Sequence, residues 1–209
     1  FAGGEADGEL YTRWLQFAAF TPIFRPHGTA LGSIEPTVKD IPSEAALWPE
    51  PVKSIARRAI RERYEWLPYN YTLSYLQAAK AEPLVSPLYF NFPKDTAATN
   101  ITNEYMWGKN ILVAPVLEKG ATNVSVYLPT ETKWYSLLSG EVTSVDFSTY
   151  SGKTEMGVAL QNIPLFVKAG SFVPMINKPN AKNTAECGTD SLVVHYYSSN
   201  KPSSDILYD

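Results

Sequence analysis

One stretch, ELYTRWLQFAAFTPIFRPHG at residues 9–28, constrains the rest of the chain more than any other. Its first half has helical spacing: Leu10, Trp14, Phe17 and Ala18 fall at i, i+4, i+7 and i+8, one face of a 3.6-residue period. Glu9 and Arg13, four residues apart, stand in the order that favours pairing along such a helix. Thr21-Pro22 stops the helical run, because a residue before proline is pushed out of the α region. Ile23-Phe24 then reads as a short buried strand whose carboxyl end carries Arg25 and His27 on either side of Pro26. A buried strand delivering an Arg and a His to its carboxyl end is how an α/β barrel assembles a site. Function is therefore expected at this tip.

The remainder changes character along its length. Residues 28–51, punctuated by Gly28, Gly32, Pro36, Pro42, Pro49 and Pro51, read as a long loop of the kind that caps a site. From 52 to 75 the helical pattern returns, with Val52, Ile55, Ala56, Ala59, Ile60, Tyr64 and Leu67 on one face and Pro51 suited to the first turn. Arg57, Arg58 and Arg61 occupy the opposite face, and with Glu62 and Glu65 close by they read as a solvated surface. A break is expected near Pro68. Beyond Glu82 short apolar runs bounded by turn residues predict strands at 87–92, 111–117, 124–128, 133–138, 158–160, 165–168 and 171–175. The polar stretch 177–190 predicts an exposed loop, and 191–197 one further strand. Alternation such as Val124, Val126 and Leu128 is that of half-buried strands, and the whole series predicts a β-sandwich.

Bulk properties close several classes. With a formal charge of -3 over 209 residues there is no electrostatic reason to expect nucleic acid or an anionic membrane as partner. A basic-helix nucleic-acid binder around Arg57 and Arg63 conflicts with that charge. Cys187 stands alone and the two histidines are far apart, so no metal spacing is indicated. No apolar run reaches the ~20 residues of a membrane span. The chain opens on Phe-Ala-Gly-Gly and closes on Leu207-Tyr208-Asp209, and both ends are expected to be cuts. Three glycosylation-type tripeptides, beginning at Asn70, Asn100 and Asn123, decide nothing about compartment.

His27 is the candidate site residue, against the alternative of an ordinary core or surface histidine; His195, inside an alternating strand, reads as structural. Glycosidic hydrolysis needs two carboxyl groups about 5 to 10 Å apart. The acids near the tip are Glu5, Asp7, Glu9, Glu35 and Asp40; none ends a strand, and Glu9 is engaged by Arg13. No catalytic pair is found, nor a nucleophile elbow, nor a phosphate-cradling glycine loop.

Taken in order, ELYTRWLQFAAFTPIFRPHG, LPYNYTL, YMWGKNILVAPVLEKG, VYLP and IPLFVKAGSFVPM resemble glycoside hydrolase family 31, which holds α-glucosidases, α-xylosidases and α-glucosyltransferases. The resemblance spans residues 1–175. It implies α/β plus all-β architecture: the last strand-helix units of a (β/α)8 barrel over 1–82, an antiparallel β-sandwich over 83–176, and a linker with the start of a distal β-domain over 177–209. Residues 23–27 would then be the eighth strand and its tip. His27 would contact sugar hydroxyls, Phe1 would lie near the same subsite, and Arg25 would brace the strand end. The catalytic aspartates would precede Phe1. Ser86-Pro87-Leu88 departs from the family's usual Arg-Pro-Leu.

The implied function is that of the carboxyl-terminal part of a retaining α-glycosidase acting on α-linked oligosaccharides. A glucosyltransferase of the same family and a non-catalytic carbohydrate-binding module are the alternatives. No metal or organic cofactor is implied. The implied partners are the substrate and the upstream part of the barrel, or an oligomer formed through an exposed barrel face.

Overall fold

A computed structural model of the chain describes residues 6–26, 44–138, 145–178 and 181–208. Helix α1 (Gly8–Ala19) starts from Asp7, whose carboxylate accepts the Leu10 N–H at 3.0 Å, a side-chain cap on an otherwise unpaired donor. Its buried face is Tyr11, Thr12, Leu15, Gln16 and Ala19, while Leu10 and Trp14 are exposed, which corrects the expected face. Both sides of this helix carry apolar residues, so periodicity alone does not say which side meets a partner. That partner is α2 (Val52–Glu65), which packs Val52, Ala56 and Ala59 with Trp48 against Tyr11 and Leu15.

The expected break falls at Trp66. There α2 gives way to α3 (Leu67–Lys80), which begins with Pro68 in the first turn, where its missing N–H is harmless. Ala81 ends α3 in the left-handed conformation. Arg57 and Arg61 are exposed as expected, and Arg58 pairs with Glu62 at 3.4 Å. Arg63 departs from the group and is buried.

The β part is built on one six-stranded antiparallel sheet. In chain order its strands are β1 (Val85–Ser86), β2 (Tyr105–Trp107), β3 (Ile111–Val113), β5 (Trp134–Leu138), β6 (Val145–Tyr150) and β8 (Pro164–Lys168). Across the sheet they run β1-β2-β3-β8-β5-β6. β4 (Asn123–Leu128) pairs with β7 (Gly152–Gly157), and β9 (Phe172–Ile176) with β10 (Leu192–Tyr196). Alternation sends neighbouring residues of one strand into different cores. Trp107, Ile111, Val113, Leu165 and Val167 face α3, β9 and the aromatic end of α1. Met106, Leu112, Trp134 and Phe166 pack instead with Val126 and Leu128 of β4. The sheet is covered on both faces, which explains why β3 and most of β8 are buried without interruption.

Three strand expectations change. Residues 87–92 hold a short helix, α4 (Leu88–Asn91), that buries Leu88 and leaves Tyr89 and Phe90 exposed. Residues 158–160 are not a strand; the strand is β7, whose GKTEMG sequence has no apolar run and is set by its ladder with β4. Ile23-Phe24 does not form the buried strand expected of it, and Ile23 is 78% exposed. Strand backbone needs neighbours for its N–H and C=O groups, and among the described residues no strand lies alongside this one.

Candidate functional site

The expected tip is reached through a chain of fixed points. At its amino end α1 is tied to the sandwich. Asp7 pairs with Lys119 at 2.7 Å, and Glu9 accepts the Gly120 N–H at 2.9 Å while lying 3.8 Å from Arg13. The Leu10 N–H and the Lys119 ammonium hold the Asp7 carboxyl below the usual carboxylate range. Arg13 donates to the carbonyls of Ala159 and Asn162, both at 3.1 Å, and Gln16 donates to that of Leu160 at 2.8 Å. Asp7 and Glu9 are thus engaged in docking; Glu5, Glu35 and Asp40 lie outside the described residues.

At its carboxyl end α1 runs into a buried aromatic cluster. Phe20 meets Trp107 edge-on at 5.5 Å and Trp66 at 6.1 Å, and Tyr69 meets Trp107 at 4.9 Å and 80°. The Tyr69 hydroxyl donates to the Trp107 carbonyl at 2.8 Å, and burial pushes its pKa far up. A side chain at Gly108, which has φ +63°, would meet Leu73 at 2.6 Å and the Tyr69 oxygen at 2.7 Å. LPYNYTL and YMWGK, far apart in sequence, are one packing unit. Trp48, Trp66, Trp107 and Trp134 are all core residues, none presented as a platform for a ligand.

Between that cluster and the tip the backbone is held mainly by one side chain. The Thr21 hydroxyl lies 2.9 Å from the Ala18 carbonyl and 2.8 Å from that of Ile23, and the Tyr105 hydroxyl donates to that of Phe20 at 3.0 Å. Arg63, on the last turn of α2, donates through Nη1 to the carbonyls of Ala19 (3.0 Å) and Thr21 and through Nη2 to that of Pro22 (3.0 Å). Its guanidinium carbon sits 5.9 Å from the centroid of the Phe24 ring. Burial pulls the Arg63 pKa down, although an arginine remains charged. The carbonyls left over at the end of α1 and in the turn after it are here taken partly by a guanidinium.

Of the three predicted site residues, Arg25 is exposed, and among the described residues it makes no hydrogen bond or ion pair. His27 and Phe1 lie outside the described residues. His195 sits in β10 opposite Val173. Arg63 was missed: its place in a basic run hid it, and only the offset from Arg57 and Arg61 toward the Ala56-Ala59 face could have marked it. A cleft of about 960 Å³ opens elsewhere, between α3, β8, β9 and residues 198–206, and includes none of the tip residues. No helix among the described residues is long and apolar enough to cross a membrane.

Comparison with known proteins accounts for this arrangement. Residues 1–73 match the model described as the glycosyl hydrolases family 31 TIM-barrel domain, and residues 81–173 that of the glycosyl hydrolase family 31 C-terminal domain. The class is therefore the end of a TIM barrel followed by an antiparallel β-sandwich, and within that class the chain belongs to glycosyl hydrolase family 31. It is 32% identical over 205 residues to alpha-glucosidase 2 of Bacillus thermoamyloliquefaciens, covering 97% of this chain and 24% of that protein. It is 31% identical over 183 residues to an alpha-xylosidase of Saccharolobus solfataricus, covering 87% of this chain and 23% of that one. The fold superposes on a family 31 dextranase of Flavobacterium johnsoniae, solved with isomaltotriose, with a TM-score of 0.75 and 27% identity. That superposition covers 92% of this chain and 22% of the dextranase. The chain spans about a quarter of the length of these relatives.

Proposed function

We propose that this chain supplies the last wall of the sugar pocket in a retaining glycosidase acting on α-linked glucosides. The observation that carries the reading is the match, in order, to the barrel and C-terminal domains of one glycoside-hydrolase family over nearly the whole chain. The structure adds a chemical reason. Within the described barrel part Asp7 and Glu9 are engaged in docking the sandwich, Glu50 at the start of α2, Glu62 on Arg58 and Glu82 on Lys109. The reaction needs one carboxylate as nucleophile and one carboxylic acid that later acts as base. That pair comes from residues outside this chain. His27 hydrogen-bonds the sugar as its ring flattens, with Phe1 and Arg25 beside it.

In the same reading residues 1–82 complete the barrel, 83–176 form the supporting sandwich and 177–209 lead toward a further β-domain. Leu10, Trp14 and Ile23, exposed by 47%, 53% and 78%, are then covered by the remainder of the barrel, or by a second copy of the chain.

Release of nitrophenol from aryl α-glucoside and α-xyloside tests this. The 209 residues alone should give no turnover and should gain it when joined to the rest of the barrel. In that complete protein His27→Ala should lower kcat by about 10²-fold or more with a smaller change in KM, the pattern of a contact made chiefly in the transition state. Turnover by the chain alone would place the carboxylates within it, and an unchanged kcat in the His27 variant would remove that residue from the site.

A further inference from the structure

The most unusual buried group among the described residues is Arg63. It is 8% exposed, and among those residues no carboxylate approaches it within salt-bridge distance. Burying a guanidinium without a carboxylate is costly, and the cost is offset here by the three backbone carbonyls that accept from it. What the guanidinium does, and an apolar group cannot, is hold a backbone. Its planar fork meets the carbonyls of Ala19, Thr21 and Pro22, and its face approaches Phe24. The held residues end one position before Arg25 and three before His27. The remaining nearby constraints, from Tyr105 to the Phe20 carbonyl and from Thr21 to those of Ala18 and Ile23, act on the same stretch.

We infer that Arg63 is a positioning residue for the sugar-facing tip: it fixes the carbonyls of residues 19, 21 and 22, at the end of α1 and in the turn after it, and so sets the direction in which the chain leads to Arg25 and His27. This rests on the reading of His27 given above. Lysine is a poor substitute, because one ammonium is a point donor on a flexible stem and lacks the rigid fork that spans three carbonyls. A displacement of the tip by about 1 Å would cost up to about 10²-fold in rate without removing any group that touches sugar.

The test uses the complete enzyme carrying Arg63→Lys and Arg63→Ala, with His27→Ala as reference. Arg63→Lys should lower kcat by about 10- to 100-fold with KM changed far less. Amide exchange should speed up at Phe20 and Thr21, whose N–H groups donate to the Phe17 and Ala18 carbonyls, and not in β3 or β8. Added guanidinium ion should restore part of kcat in Arg63→Ala and none in His27→Ala. Unchanged kcat in Arg63→Lys while His27→Ala is impaired overturns the inference and leaves the functional reading intact. Loss of kcat that tracks a general loss of exchange protection, with no rescue by guanidinium, also overturns it, because Arg63 is then only part of the packing. An unchanged rate in His27→Ala sinks the functional reading, and the positioning role with it.

Discussion

Two segments of this molecule are nearly alike in sequence and unlike in structure. Ile23-Phe24 and Ile111-Leu112-Val113 are short apolar runs, each followed within three residues by a proline. The second is strand β3, with all three residues fully buried between β2 and β8. The first is in neither helix nor strand, with Ile23 78% exposed. The difference lies in what satisfies the backbone. β3 has a ladder on each edge, whereas the carbonyls leading to residue 23 are met by Arg63, Thr21 and Tyr105 side chains. An apolar run becomes a strand only where other strands offer hydrogen-bonding partners, because a lone extended segment would bury unpaired backbone groups.

The sandwich shows the converse device at its own edge. Among the described residues β4 pairs with β7 alone, and the Tyr127 N–H is taken at 2.7 Å by Glu104, a carboxyl side chain 5% exposed. The Tyr127 hydroxyl donates to Asp95 at 2.7 Å, and burial together with that carboxylate pushes its pKa up to about 12. The other Glu104 oxygen is buried with no hydrogen-bond partner among the described residues, and burial raises the pKa of this carboxyl from 4.5 to about 7. A buried polar side chain meets backbone groups in both regions, by donating at the tip and by accepting at β4.

The sharpest way to break the comparison is to truncate both runs. Ile111→Ala should lower unfolding stability by about 4 kcal/mol, through lost transfer energy and a cavity in the covered sheet. A urea midpoint close to the parent's would show that the sheet closes over the gap and that full burial of β3 matters little. Next in size is Glu104. Its folded pKa is raised, so the folded state binds the proton more tightly than the unfolded chain. This contribution is greatest below pH 4.5, is lost as pH rises, and is gone above about pH 7. At about 1.4 kcal/mol per pH unit the swing is about 3 kcal/mol. Glu104→Gln keeps an acceptor for the Tyr127 N–H and should remove that slope from urea unfolding followed between pH 4.5 and 8. An identical slope in the variant would assign the pH dependence to other groups. The smallest effect is expected from Ile23→Ala, within about 0.5 kcal/mol for so exposed a side chain. A loss comparable to that of Ile111→Ala would mean that residue 23 is buried in solution and the two runs are equivalent.

Much of the architecture was legible because it is local. The α1 spacing, the stop at Thr21-Pro22, the break at the α2–α3 junction and the alternation of β4 follow from preferences that each residue carries with it. The five ordered motifs carried the family. The face of α1 was misread because Leu10-Trp14 and Tyr11-Leu15 are both apolar pairs, and only the approach of Trp48 and α2 selects the second. β7 was missed since its GKTEMG owes its extension to the β4 ladder and not to its own composition. Arg63 was hidden for a related reason: within VKSIARRAIRERYE only its offset toward the Ala56-Ala59 face separates the arginine that turns inward from Arg57 and Arg61.

The sequence by itself determined where α1 stops and where α2 gives way to α3, which runs are apolar and to which family the chain belongs. These are statements about single residues and their near neighbours. Tertiary structure alone decided which face of α1 is buried, which apolar run becomes a strand, and which arginine and which glutamate leave the surface to satisfy backbone. Each of those outcomes depends on whether a hydrogen-bonding or packing partner from a distant part of the chain arrives at that place. Desolvation makes the choice energetic: a buried donor or acceptor without a partner costs about 1 to 3 kcal/mol, enough to turn one side chain inward and leave its neighbour in water.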